Sequence, residues 1–402
     1  MAHPFTAVPI TEDVYWVGAI DWAIREFHGY STDRGTTYNA YVVTADRPTL
    51  IDTVKAPFRD EFLSRVRSVI DPEKIEVVVS NHSEMDHSGL LPSTLELIRP
   101  DVVYASKMGQ KALDAHFHGA FEVEAVESGG TAELGNMTLQ FLETRMVHWP
   151  DSMFSYLPER KLLFSQDGFG MHLASSERFD DQLDWPTLKY ETEKYFANIL
   201  MPFAPQIAKL LEKVRESDIE PELVCPDHGP VWRERFGDVF SLYERWCEQK
   251  PTRRAVVMYD TMWESTAKMA RAVCDGLAAG GASAKLIPLE ASDRSAAATE
   301  ILEAGALLAG VSTMNNQMFP TMADALTYLR GLRPKNLIGA AFGSYGWSGE
   351  GAKNVNAVLE EMGIELVAEP LTVQYVPTDE DLVRCRELGE TIARELVKRT
   401  ED

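Results

Sequence analysis

Cysteine is scarce in this chain: four residues in 402, at Cys225, Cys247, Cys274 and Cys385, with no CxxC pair among them. So far apart, they build neither a disulfide framework nor a thiolate cage for iron or zinc, and they read as buried or incidental thiols. Positive charge is also short, because 39 Lys+Arg against 62 Asp+Glu leave −23 with His neutral. That field repels the phosphates of nucleic acids and anionic lipid heads, so neither nucleic acid nor a membrane surface is expected as a partner. No apolar run approaches the roughly 18 residues of a spanning helix. The opening Met-Ala-His-Pro-Phe-Thr lacks the basic-then-apolar order of a signal peptide, and a cytoplasmic protein is expected. No GxGxxG follows an apolar strand, which removes support for a dinucleotide Rossmann site.

What remains is ordinary globular composition, 45% hydrophobic and 25% charged with 26 Gly and 21 Pro, in a chain long enough for two or more domains. Short β-branched runs at 14–17, 41–44, 49–51, 75–79, 102–104 and 137–141 predict strands, and 57–70, 91–98 and 107–116 predict helices. A helical stretch ending at Lys250 meets Pro251 and Arg253-Arg254 before a new apolar run, which places a domain boundary between 1–250 and 251–402. In the second part, strands at 255–259, 284–289, 306–311, 337–342 and 366–368 alternate with helices. About five such βα units are the pattern of an α/β, doubly wound parallel sheet.

The densest chemistry is Asn81-His82-Ser83-Glu84-Met85-Asp86-His87-Ser88-Gly89, directly after an apolar strand. Four donor side chains within six residues at a strand end can turn toward one point, although solvated loop polarity produces such clusters too. Three more candidates also follow apolar runs: His148, Asp167 and His228. His82, Glu84, Asp86, His87, His148, Asp167 and His228 together offer nitrogen and oxygen donors for two metal ions. This order resembles the HxHxDH loop and later His, Asp and His of the metallo-β-lactamase superfamily. The resemblance covers roughly 1–250 and implies an αββα sandwich with a binuclear site. Glu84 stands where the zinc hydrolases carry a second His, exchanging a neutral borderline ligand for a hard anionic one, which favours iron over zinc. The resemblance implies that His82, Glu84 and His148 hold one iron, that Asp86, His87 and His228 hold the other, and that Asp167 bridges them. It also implies that His28 and Tyr195 are proton or orientation groups around the site. Of the other histidines, His3 and His172 read as surface or locally satisfied groups, and His116 and His118 as helix-end packing.

In the second domain the turn Thr261, Met262, Trp263, Glu264, Ser265 and Thr266 opens a helix, offering hydroxyls and free N–H groups suited to a phosphate monoester. A plain N-cap uses the same residues. Two later strand ends carry Ser312, Thr313, Met314, Asn315 and Asn316, then Ser344, Tyr345, Gly346, Trp347 and Gly349. Ligands bind at such carboxyl ends, glycines admit close backbone approach, and the two aromatics can stack on a ring. The trio resembles the FMN loops of flavodoxin, with bulky Trp263 and acidic Glu264 departing from its usual phosphate loop.

The two halves together resemble the flavodiiron proteins across essentially the whole chain. Further segments that carry the likeness are Val17 to Trp22, Gly35 to Ala40, His148 to Met153 and Gly343 to Glu350. The resemblance implies an oxidoreductase reducing dioxygen to water, nitric oxide to nitrous oxide, or both, at two non-haem irons fed through FMN. It implies rubredoxin or a similar small donor, and a head-to-tail homodimer or a dimer of dimers. Rubredoxins are generally acidic, so net charge does not favour that docking. Two other readings stay open: a binuclear zinc hydrolase with an appended flavin domain, and an electron-transfer flavoprotein whose metal domain is structural.

Overall fold

The structure is a computed structural model that describes residues 3–401. Contacts divide the chain into one unit of Met1–Tyr195 with Pro205–Glu244 and a second of Phe196–Ala204 with Arg245–Asp402.

In the first unit a seven-stranded sheet runs in the order Val8–Pro9, Val14–Trp16, Tyr41–Val43, Thr49–Ile51, Val77–Ser80, Val102–Ser106, Glu124–Val126. A five-stranded sheet runs Thr131–Glu133, Thr138–Glu143, Met153–Leu157, Leu162–Gln166, Leu223–Pro226. The apolar run Val77-Val78-Val79 is buried on both sides because it feeds two cores. Val77 and Val79 join Tyr41, Ile51, Leu139, Phe141 and Phe164 between the sheets. Val78 joins Val42, Leu50 and the helix residues Phe62, Val66, Leu91 and Leu95 on the outer face. Those four sit at helical spacing on Arg59–Val69 and Leu91–Ile98, so each helix lays one apolar stripe on the sheet. This is the expected αββα sandwich.

The second unit is a parallel sheet in the order Ser283–Pro288, Arg254–Tyr259, Ala306–Ser312, Ile338–Tyr345, Glu365–Leu366. Every residue of Ala306–Ser312 is buried, as a central strand with both faces covered requires. Winding in two directions from Arg254–Tyr259 leaves a crevice at the carboxyl ends of the inner strands.

Element ends differ from the sequence expectation in places with local causes. The helix expected from 57 starts at Arg59 after a 3-10 turn Ala56–Phe58 that uses Pro57. The strand expected over 366–368 splits into Glu365–Leu366 and Leu371–Gln374, both pairing with Ile338–Tyr345, with Pro370 between them. Leu371–Gln374 is absent from the sequence reading.

Candidate functional site

Loops from both sheets of the first unit converge at one edge. Val77–Ser80 delivers His82 and Glu84, and the one-turn helix Met85–Ser88 carries Asp86 and His87. Leu162–Gln166 delivers Asp167, and Leu223–Pro226 delivers His228. The first loop is held by Asp52, which accepts from Asn81 N at 2.7 Å and Nδ2 at 3.0 Å. Ser155 Oγ donates to Asn81 Oδ1 at 2.5 Å, so both sheets grip the residue before His82.

All seven expected donors are brought together. One atom from each of His82, Glu84, His148 and Asp167 lies within 4.8 Å of the others, and Asp86, His87 and His228 form a second such set. Asp167 divides its oxygens between them. Oδ2 faces His148 Nε2 at 3.0 Å and His82 Nε2 at 3.4 Å, while Oδ1 faces His87 and His228 Nε2 at 3.5 Å each. Asp86 Oδ2 is 3.2 Å from both His87 and His228 Nε2. His87 is therefore turned into the cluster.

Burial alone pushes carboxyls up and imidazoles down, yet here opposite charge wins in both directions. The imidazoles of His148, His82 and His87 facing it overcome burial and hold Asp167 well below the usual carboxylate range. His87 and His228 do the same for Asp86. Against its own burial, His82 is driven well above the usual imidazole range by Asp151, Asp167 and Glu84. The cavity thus demands positive charge. Asp86 Oδ1, Asp167 Oδ1 and His148 Nε2 are buried without a hydrogen-bond partner, which is costly unless a cation takes their lone pairs. The residues fit two metal ions, and three carboxylates among the donors suit iron.

In the second unit a cavity of about 600 Å³ opens at three strand ends, lined by Met262, Trp263, Ser265, Ser312, Thr313, Met314, Asn315, Ser344, Tyr345, Gly346, Trp347, Tyr375 and Val376. The helix Ser265–Ala279 has no side-chain cap on its first N–H groups, and Thr261 Oγ1 is buried without a partner. Unspent donors at a helix N-terminus beside an aromatic-lined slot fit a flavin phosphate and ring. Glu264 adopts φ +64 and its carboxylate lies 3.9 Å from Arg271, with the side chain 67% exposed. Thr261, Glu264, Thr266, Asn316 and Gly349, named from sequence, do not line the cavity. Thr266 lies behind it, its hydroxyl 3.1 Å from Ser312 Oγ and 2.9 Å from Ser344 Oγ. Tyr375 and Val376 line it but follow the strand that sequence reading missed.

Comparison with known proteins agrees with both halves. Residues 36–229 match the model of the ODP family beta lactamase, and 257–389 match that of flavodoxin. A nitric oxide reductase of Moorella thermoacetica is 47% identical over 390 residues, 96% of this chain and 98% of that protein. The solved structure of rubredoxin oxygen:oxidoreductase from Desulfovibrio gigas superposes with TM-score 0.96 at 43% identity, covering 99% of this chain and all of that one. The flavodiiron protein of Giardia intestinalis gives TM-score 0.96 at 34% identity, over 100% and 99% of the two chains. The chain belongs to the flavodiiron protein family.

Around the metal cluster of this flavodiiron protein the structure adds residues and makes one correction. His172, expected at the surface or locally satisfied, is 2% exposed, with its ring centroid 4.5 Å from that of His228. Its Nδ1 lies 2.7 Å from Thr36 Oγ1, and burial and then the charge of His228 hold its imidazole well below the usual range. Its tie is to a residue 136 positions away, which no local signal announces. His28 Nε2 is hydrogen-bonded to Glu84 Oε1. Tyr195 stacks edge-on against His172 at 5.1 Å, and burial pushes its phenol well up, so it stays neutral. His116 lies in the last turn of Lys107–Phe117 and His118 is its left-handed C-cap, both exposed. Asp52, Asp151 and Asp227 are buried acids beside the cluster that sequence reading left out.

Proposed function

We propose that this flavodiiron protein reduces dioxygen to water, nitric oxide to nitrous oxide, or both. Residues 1–250 hold two irons and 251–402 hold FMN. The observation that carries the reading is Asp167, whose two oxygens each face a separate set of donors, with Glu84 as a third carboxylate between His82 and His148. On this reading His82, Glu84 and His148 hold one iron, Asp86, His87 and His228 the other, and Asp167 spans both. Once bound, the irons and FMN supply two electrons each, matching the four that dioxygen needs to become two waters and exceeding the two that two nitric oxides need.

The chain's own groups prepare the site for a small, uncharged substrate. His28 fixes Glu84 from the solvent side, and buried Tyr195 packs a neutral phenol ring against His172 and His228. In the second unit, Ser265 and the uncapped helix N-terminus are assigned to the phosphate, and Tyr345, Trp347 and Tyr375 to the ring.

Rubredoxin or a similar small carrier is the proposed donor. The chain has no CxxC pair or nicotinamide fingerprint of its own, and a relative 44% identical over 394 residues is named rubredoxin-oxygen oxidoreductase. A head-to-tail dimer is proposed for the assembly, supported by exposed Trp263 and Trp347 at the flavin cavity. A cytoplasmic location is supported by four free thiols and by the absence, among the described residues, of any helix long and apolar enough to cross a membrane.

Elemental analysis of protein from cells grown without added metal tests the reading. About two irons per chain are expected, followed by oxygen and nitric oxide consumption with a reduced donor. Zinc in their place, with no iron-dependent activity after reconstitution, overturns it.

A further inference from the structure

Asp151 is built into the metal cluster without facing its centre. It is 2% exposed, and Ser106 Oγ donates to its backbone carbonyl at 2.6 Å. A single carboxylate oxygen, Oδ2, lies 3.1 Å from His82 Nδ1, 2.6 Å from Ser83 N and 2.7 Å from Ser83 Oγ. Its other oxygen, Oδ1, is buried with no partner. With Nδ1–H given to this carboxylate, His82 keeps its Nε2 lone pair for the cluster, where that atom is 3.2 Å from Glu84 Oε2 and 3.4 Å from Asp167 Oδ2.

The second donor set is backed differently. His228 Nδ1 donates to the neutral Thr37 carbonyl at 2.6 Å and lies 3.3 Å from the Thr36 hydroxyl. The acid nearest to His87 Nδ1, Asp227, stands 3.6 Å away, beyond hydrogen-bond distance. An imidazole bonded to an anion is a stronger electron donor to a metal than one bonded to a carbonyl. Stronger donation favours the higher oxidation state.

We propose that Asp151 is a positioning residue for the site of His82, Glu84 and His148, fixing the His82 tautomer and making the ion held there the easier of the two to oxidise. This rests on the iron reading above. In a potentiometric titration of the iron- and FMN-loaded protein, one electron passes from the fully reduced pair to ferricyanide. One ferrous and one ferric ion remain, and their coupled EPR signal marks the first step.

Asp151→Asn can keep the three hydrogen bonds through its amide oxygen, with NH₂ in place of the unpartnered oxygen, and removes only the charge. Expected are a higher first potential, an unmoved second potential, and iron loss to a chelator roughly 10–100-fold faster. Ser83→Ala removes a competing donor, leaves more of the carboxylate's charge on His82 and lowers the first potential. An unchanged first potential in Asp151→Asn, or a shift in the second step alone, overturns the proposal. Should Asp151→Asn fail to fold, as lost FMN and near-UV dichroism would reveal, an unlowered potential in Ser83→Ala overturns it instead. Wild-type protein without any iron-pair signal overturns the iron reading and this inference together; a wild-type signal with unshifted variants overturns this inference alone.

Discussion

Asp167 has two oxygens facing two sets of donors, and on the proposed two-iron reading its side chain bears on both positions at once. Asp167→Ala is expected to lower iron to less than half the wild-type content and gas consumption at least ~100-fold, with FMN retained. Metal analysis and flavin absorbance on the same sample check this, and retained turnover would favour the reading in which the metal domain is structural. A second residue-scale effect concerns stability. Glu191 is buried and its carboxyl is pushed up to about 7 by that burial, against the pull of Lys194 and of Arg34 at 3.2 Å. A carboxyl raised above its ordinary value favours the folded state when protonated. The contribution is full below about 4.5 and is lost as pH rises through about 7. The urea midpoint should therefore fall between pH 5 and pH 8. Glu191→Gln should flatten that fall and be the more stable at pH 8 by up to roughly 3 kcal/mol.

At the scale of elements, the helices Ser265–Ala279 and Asp379–Glu401 approach so closely that each needs a glycine. A Cβ on Gly276 would stand 1.9 Å from the Arg386 carbonyl oxygen, and one on Gly389 would stand 2.1 Å from that of Val273. Gly276→Ala is expected to destabilise the second unit by about 1–3 kcal/mol, read as a lower denaturant midpoint for loss of FMN fluorescence quenching. Two strand ends are tied to the helix Ser265–Ala279 through one hydroxyl, Thr266 Oγ1, which joins Ser312 and Ser344. Thr266→Val removes both bonds and should weaken FMN binding roughly 5–30-fold by titration of the apoprotein. Elements with a full apolar run or a helical stripe were legible in the sequence, because burial on one or two faces leaves a pattern in a single segment. Leu371–Gln374 was not, since four residues after a proline carry too little pattern; with it went Tyr375 and Val376 of the flavin cavity.

For the whole molecule, a net charge of −23 acts on any acidic donor before contact. Reduction of bound FMN by an acidic rubredoxin is expected to speed up as salt rises from about 0.01 to 0.15 M, where screening shortens from roughly 30 to 8 Å. Stopped-flow rates measure this, and a rate that falls with salt would instead locate a basic docking patch.

The two-part α/β plan and the seven side chains that gather at one sheet edge were legible in the order of residues alone. Strands leave apolar runs, and chemistry placed at their ends stays in register with them along one stretch of chain. The burial of His172 beside His228, the contact of Asp151 with His82 and the division of the Asp167 oxygens between two sets emerge only on folding. Each of those facts depends on which strand ends become neighbours, and burial and hydrogen bonding between residues tens to hundreds of positions apart leave no local mark.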